Sequence, residues 1–161
     1  MNIETATLND TKEIVKLFTN TIHKINIQNY TQKQIEVWAP IKIDYEKWEK
    51  RFKKTNPYII KKNNKIVGFF EFETNGHIGC FYVHHNYQRQ GVGNIMISKI
   101  IDLAEEQRLD DIFAEVSITA KPFFEQNLFI TQNNNIVTID NVELVNYIMI
   151  RQISNKHRSE I

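Results

Sequence analysis

The run Gln88-Arg89-Gln90-Gly91-Val92-Gly93 joins an apolar stretch, Ile78 to Val83, to an amphipathic one, Val92 to Ala104. A strand that turns through two glycines into a helix start leaves several backbone N–H groups without intrahelical partners, beside the positive end of the helix dipole. That arrangement is a cradle for phosphate. Gly91 and Gly93 let an anion approach the backbone with no Cβ in the way, and Arg89 adds a charge-assisted contact. The run lacks the Gly-Lys-Ser/Thr of a Walker loop and the three-glycine spacing of a dinucleotide fingerprint, so it implies some other pyrophosphate-bearing ligand.

The pattern Gln/Arg-x-x-Gly-x-Gly after a strand resembles the acyl-CoA loop of the GCN5-related N-acetyltransferases (GNATs). A second block, Ala120-Lys121-Pro122-Phe123-Phe124-Glu125-Gln126-Asn127-Leu128-Phe129, resembles the late helix of that family. Tyr30-Thr31-x-x-Gln34-Ile35-x-x-Trp38-Ala39-Pro40 and the stretch Ser117 to Glu125 are similar to a little-characterised bacterial group within it. The resemblance runs from about residue 3 to residue 150. It implies an α/β (α+β) fold, a mixed and mostly antiparallel sheet of about six or seven strands flanked by about four helices.

It also implies acetyl-CoA as cosubstrate, a primary amine of a small molecule or peptide as acceptor, direct attack in a ternary complex, and no metal. By the same resemblance, backbone groups of Phe81, Tyr82 and Val83 hold the pantetheine arm, and Gln88, Arg89, Gln90, Gly91, Val92, Gly93 and Asn94 surround the phosphates. Phe124 packs on the cosubstrate, and Tyr30, Trp38 and Ser117 face the acceptor.

The attacking amine must lose a proton before it has a lone pair. His77 is the preferred base, because several relatives keep a Glu or His there and an imidazole with pKa about 6.5 suits neutral pH. Glu71 and Glu73 are its rivals. A two-residue turn at Asn75-Gly76 would pair Thr74 with His77 and Glu73 with Ile78, which sets both glutamates on the face opposite His77. That face carries Cys80, Tyr82 and His84, whereas His77 shares its side with Phe70, Phe72, Phe81 and Val83. His77 equally reads as an exposed residue opening a strand, Tyr30 and Trp38 as packing residues, and Cys80 as a small core residue.

Two departures from the family bear on the chemistry. Relatives often carry an acidic residue at the position of Gly79, and many place at Phe124 a Tyr that protonates the leaving thiolate. Phe has no proton to give, so Tyr82, Tyr147 or solvent takes that role. Leu128 replaces the usual Gly, so the turn after the late helix must avoid the left-handed conformation or strain to adopt it.

These residues need scaffolding. A first strand spans Asn2 to Thr7, and a helix opened by a capping box at Asp10 and Glu13 continues through Ile25. Helices over Tyr30 to Ala39 and Tyr45 to Phe52 precede three strands, Pro57 to Lys61, Ile66 to Glu73 and His77 to Val83, with hairpin turns at Asn63-Asn64 and Asn75-Gly76. A helix from Val92 to about Gln107, a strand from Ile112 to Ser117 and a short helix from Thr119 to Asn127 follow. Ile136 to Ile139 and Leu144 to Ile150 close the fold as a hairpin around Asp140-Asn141.

Composition sets the bounds. At 161 residues, 42% hydrophobic and 24% charged, the chain fits one acetyltransferase domain over 1–153, with a polar tail over 154–161. A net charge of +1 argues against nucleic acid as a partner and leaves the basic runs Lys50 to Lys54 and Lys61 to Lys65 as solvated faces. Cys80 is the single cysteine, and neither an apolar leader nor a membrane-length apolar stretch is present, which points to a cytoplasmic protein. A homodimer is left open. Two other functions stay open beside the enzyme: a CoA-binding module with weak or no catalysis, and a toxin-like acetyltransferase acting on charged tRNA.

Overall fold

Residues 1–154 are described by the computed structural model; 155–161, nearly all of the expected tail, lie outside the described residues. Alternating apolar residues and tight turns generate strands β1 (Asn2–Thr5), β2 (Tyr58–Lys62), β3 (Lys65–Phe72), β4 (His77–Val83), β5 (Asp111–Ser117), β6 (Ile130–Ile139) and β7 (Val142–Gln152). Helices α1 (Thr11–Lys24), α2 (Gln32–Trp38), α3 (Tyr45–Thr55), α4 (Val92–Glu106) and α5 (Lys121–Gln126) cover them. The strands form one sheet in the order β1-β2-β3-β4-β5-β7-β6. Of its neighbouring pairs only β4 and β5 run parallel.

Helical periodicity puts apolar side chains on the inner side of each long helix. On one face of the sheet, Val92, Met96, Ile100 and Leu103 of α4 pack on Ile60, Val67, Phe70 and Ile112. On the other face Ile14, Phe18 and Ile22 of α1 and Phe52 of α3 pack on Ile59, Phe69 and Leu144. Both layers remove apolar area from water, and the sheet between them is the platform for the site.

Two of the expected hairpin turns form as two-residue loops. Asn63 and Asn64 (φ 52° and 61°) and Asp140 and Asn141 (φ 48° and 62°) adopt left-handed values at both central positions, which Asn and Asp tolerate. The turn at Asn75-Gly76 is longer. Glu73 N donates to His77 O (2.9 Å) and Gly76 N to Glu73 O (3.0 Å), so Thr74, Asn75 and Gly76 form a three-residue loop with Gly76 at φ 91°. Glu73 therefore lies opposite His77. The expected pairing of Thr74 with His77 fails because Gly76 serves the left-handed bulge position and not the second position of a two-residue turn.

Two further features differ from the sequence reading. Asp10 accepts from Thr7 N (2.8 Å) and closes a turn before α1, while Glu13 accepts from Ile66 N (2.9 Å), so the two do not form a capping box together. Strand β6 begins at Ile130, not Ile136. Its polar stretch Gln132 to Asn135 has low strand propensity, but Asn133, Asn134 and Asn135 lie in register with Ile148, Tyr147 and Asn146 of β7, and this pairing overrides propensity.

The turn after α5 takes the strained option. Leu128 sits at φ 67° while Phe129 N donates to Phe124 O (3.0 Å), the helix-ending arrangement that normally employs glycine. Its side chain is 68% exposed, so little packing offsets the backbone cost. Leu128→Gly is expected to stabilise the fold by about 1 kcal/mol and raise Tm by roughly 2–4 °C in thermal melts.

Candidate active site

Strands β4 and β5 pair at only two positions, His77 with Phe113 and Ile78 with Ala114, and then part. Between them opens a cavity of about 910 Å³ that runs from the turn before α4 to the β6–β7 hairpin. The partition of main-chain groups along β4 follows from its pairing. His84 N donates to Val67 O, so His84 and Tyr82 turn their backbone groups toward β3, and the intervening Phe81 and Val83 turn theirs toward the gap. The expectation that Tyr82 offers its backbone to a ligand arm is corrected: Tyr82 presents its side chain, while Phe81 and Val83 present main chain. Val83 O is already held by Thr21 Oγ1 (3.1 Å) and by Gln88 Nε2 (2.7 Å), and these bonds lock the strand to α1 and to the loop.

The loop turns through two left-handed residues, Arg89 (φ 57°) and Gly91 (φ 84°), before Val92 starts α4. A Cβ on Gly91 would meet nothing within 4 Å, so the position opens onto free space where an anion can reach the helix N-terminus. Gly93 serves another purpose than the sequence suggests: a Cβ there would stand 2.9 Å from the Phe123 ring, so its bareness seats α5. Gln88, Arg89, Gly91, Gly93, Asn94 and Phe124 line the cavity, as do Tyr30, Trp38 and Ser117 toward its other end. Gln90 and Val92 do not. Gln90 is exposed and reaches Asn86 O (3.2 Å), while the Val92 side chain is buried in the core.

The ionisable residues divide into two groups on one sheet face. Glu71 is 1% exposed and bound twice by Arg51, Nε to Oε1 and Nη2 to Oε2, both at 2.8 Å. A Cβ on Gly79 would stand 2.7 Å from Glu71 Oε2, so the Glu71 carboxylate fills the space a side chain at 79 would take. Engaged in this way, the Glu71 carboxylate ties β3 to α3. Cys80 accepts from Arg51 Nη2 (3.3 Å), and burial, with Glu71 adding to it, pushes its thiol well up, which keeps it protonated and not nucleophilic.

Glu73, His77 and Glu115 form the second group. His77 Nδ1 lies 2.7 Å from Glu73 Oε1, and Nε2 lies 2.6 Å from Glu115 Oε2. The sequence reading set Glu73 and His77 on opposite faces; the three-residue loop puts them on the same one. A register shift where Glu71 faces β4 also moves Ile78 onto the α4 side with Phe81, so His77 does not share the apolar side. Burial by itself would lower the His77 pKa, but the hydrogen bonds to Glu115 and then Glu73 outweigh it and hold the pKa above its ordinary value. Neither His77 nor Glu73 lines the cavity, whereas Glu115 does. Glu115 was missed because a residue on β5 meets β4 only through the parallel crossover. Its alternation with the buried Ile112, Ala114 and Val116 is the signal that marks Glu115 as facing the other way.

Of the two tyrosines considered as proton donors, Tyr82 lines the cavity and Tyr147 does not; the Tyr147 ring lies under Lys121 Nζ (4.9 Å). Burial raises the Tyr82 pKa well above the usual phenol value, so its hydroxyl keeps its proton. Phe124 is buried between Phe81 and Phe129, with ring centroids at 5.2 and 4.9 Å. No group of His, Cys, Asp and Glu side chains among the described residues could hold a metal ion, and no helix among them is long and apolar enough to cross a membrane.

A sheet opened between two parallel strands, with the gap ending on a helix N-terminus, defines an acyl-CoA acyltransferase fold, and residues 26–151 match the acetyltransferase (GNAT) domain. The chain belongs to the GNAT acetyltransferase family, whose members carry acetyl from acetyl-CoA to an amine. It is 28% identical over 140 residues to the protein named "Uncharacterized N-acetyltransferase YafP" of Escherichia coli K12, covering 87% of this chain and 88% of that one. A GCN5-related N-acetyltransferase structure from Rhodopseudomonas palustris superposes with a TM-score of 0.90 at 24% identity, covering 94% and 95% of the two chains. The PaiA N-acetyltransferase of Thermoplasma acidophilum, solved in complex with coenzyme A, gives a TM-score of 0.74 at 14% identity over 94% and 98%.

Glu71→Ala leaves the Arg51 guanidinium half-buried and unpaired, and should lower stability by about 2–3 kcal/mol, part of the charge being screened by solvent. Denaturant melts of the variant read this directly.

Proposed function

We propose that the protein is an N-acetyltransferase, one domain over residues 1–153, that moves acetyl from acetyl-CoA to a primary amine by direct attack in a ternary complex. The observation that carries this reading is the parting of β4 and β5 above the start of α4, where the loop offers uncommitted N–H groups to a pyrophosphate. The residues fit the cosubstrate. Gly91 through Asn94 and Arg89 would hold the phosphates, and the main chain of Phe81 and Val83 would align the pantetheine arm; the cosubstrate itself supplies an activated thioester carbonyl.

Glu115 receives the acceptor ammonium at the gap, and a proton leaving the amine passes through its carboxylate to Nε2 of His77. Glu73 holds the other ring nitrogen and fixes the ring orientation. The amine nitrogen then bonds to the acetyl carbon as the C–S bond breaks, and the departing thiolate takes a proton from Tyr82 or solvent. The buried Cys80 thiol is unsuited to carry an acyl intermediate, which favours direct attack.

Two measurements test this. Gly91→Val forces a β-branched residue into a left-handed position and places methyls where the phosphate approaches; acetyl-CoA affinity in calorimetric titration should fall by about 10²-fold or more. Equal affinities would remove the basis of the reading.

The proton path shows in the pH profile. Because the His77 pKa is raised, its base form appears only as pH climbs above about 6.5, and kcat/KM should decline on the acid side of that point. Glu73→Gln removes a contact that raises the pKa, so this acid limb should move to lower pH. Glu115→Gln should lower kcat by roughly 10²-fold or more with acetyl-CoA affinity unchanged. A limb that stays in place in Glu73→Gln would reject His77 as the proton sink.

A further inference from the structure

We propose that the acceptor is a small primary amine whose ammonium is its only charge, carried on an apolar alkyl or arylalkyl body, and that amines bearing a carboxylate are rejected. The inference rests on the acetyltransferase reading and concerns the end of the same cavity away from the phosphate loop. Among the described residues lining the cavity, only Arg89 and Glu115 carry charge. Arg89 belongs to the loop that opens α4, so Glu115 is the one charged group left for the acceptor. A carboxylate anchors an ammonium and repels a second anion.

The remaining acceptor wall is neutral. Val137, Ile139 and Leu144 of the β6–β7 hairpin supply apolar surface, and Asn26, Ser117 and Asn146 supply uncharged polar groups. Ser117 and Asn146 lie opposite each other in the β5–β7 register, on the same face as Glu115, so the polar groups border the carboxylate and the apolar ones lie beyond. An acceptor carboxylate entering here would lose water without finding a cation. A polyamine would likewise bury further charges against Val137 and Leu144.

The cover over this end argues for a small acceptor. The Tyr30 hydroxyl donates to Val145 O (2.7 Å) and accepts from Ile118 N (2.9 Å), while Gln34 Nε2 donates to Glu143 O (2.8 Å). These bonds pin the segment around α2 across the sheet to β7. Trp38 packs edge-on against Tyr30 with centroids 5.2 Å apart, and Tyr30 is 8% exposed. A polypeptide acceptor needs a wide trough beside the thioester, and the pinned α2 segment with Tyr30 and Trp38 narrows it here.

The experiment uses the full chain with acetyl-CoA, reads thiol release, and compares amines that differ by one carboxylate: 2-phenylethylamine against phenylalanine, and 3-methylbutylamine against leucine. The expected kcat/KM ratio is about 10²-fold or more in favour of the decarboxylated partner in both pairs, with spermidine and a short peptide as poor as the amino acids. In Val137→Lys, which places a cation on the acceptor wall, the ratio should shrink about 10-fold or more; being measured within one protein sample, it is insensitive to the folded fraction. A wild-type ratio near one, a preference for the amino acid, the peptide or the polyamine, no turnover of either monoamine, or an unchanged ratio in folded Val137→Lys would each overturn the proposal. Acetyl-CoA titration keeps the two readings apart: binding without monoamine turnover defeats this inference alone, and absent binding defeats the acetyltransferase reading.

Discussion

Strands β4 and β5 share two paired positions and no more, and the site follows from that one break in an otherwise continuous ladder. Parallel strands are joined by a crossover, here α4, and its start stands at the mouth of the gap. Main-chain groups of Phe81 and Val83 on one edge, and the side chains of β5 on the other, become walls of a cavity instead of members of a sheet. Hydrophobic layers on both faces make the arrangement affordable. They hold the strands while the hydrogen bonds between them are withheld.

Three glutamates on one sheet face show how neighbours divide labour. Glu71 is sealed against Arg51 beneath Gly79, where its charge is matched and its reach ends. Glu73 and Glu115, both more than 40% exposed at the side chain, flank His77, one from just past the end of β3 and the other from β5. Burial and a dedicated cation make the first a strut; the other two keep access to solvent and share one imidazole. The space a side chain at position 79 would take is thus filled by the Glu71 carboxylate.

What was legible in the sequence was local. Gln88 to Gly93 and the two type I′ turns announce themselves in a few residues, because phosphate cradles and left-handed turns require particular residue types at fixed offsets. Helix periodicity located α1 and α4 for the same reason. The Asn75-Gly76 turn was read one residue short, since a glycine can serve a two-residue turn or a bulge equally well, and the one-residue error moved Glu73 to the wrong face. Glu115 was invisible because no local pattern links positions 77 and 115; only the crossover through α4 does. Polar Gln132 to Asn135 concealed half of β6, whose strand character comes from its partner and not from its own composition.

A sheet with an unfinished seam has a thermodynamic consequence beyond chemistry. Ligand that lies in the gap binds the native chain and not the unfolded one, so it adds to stability by mass action, about 2.7 kcal/mol when free ligand exceeds its Kd a hundredfold. The population of opened molecules offered to proteases falls by the same factor of about 10². Ligand in the gap would thus act as a clasp between β4 and β5, and a chain that has lost it would open more often.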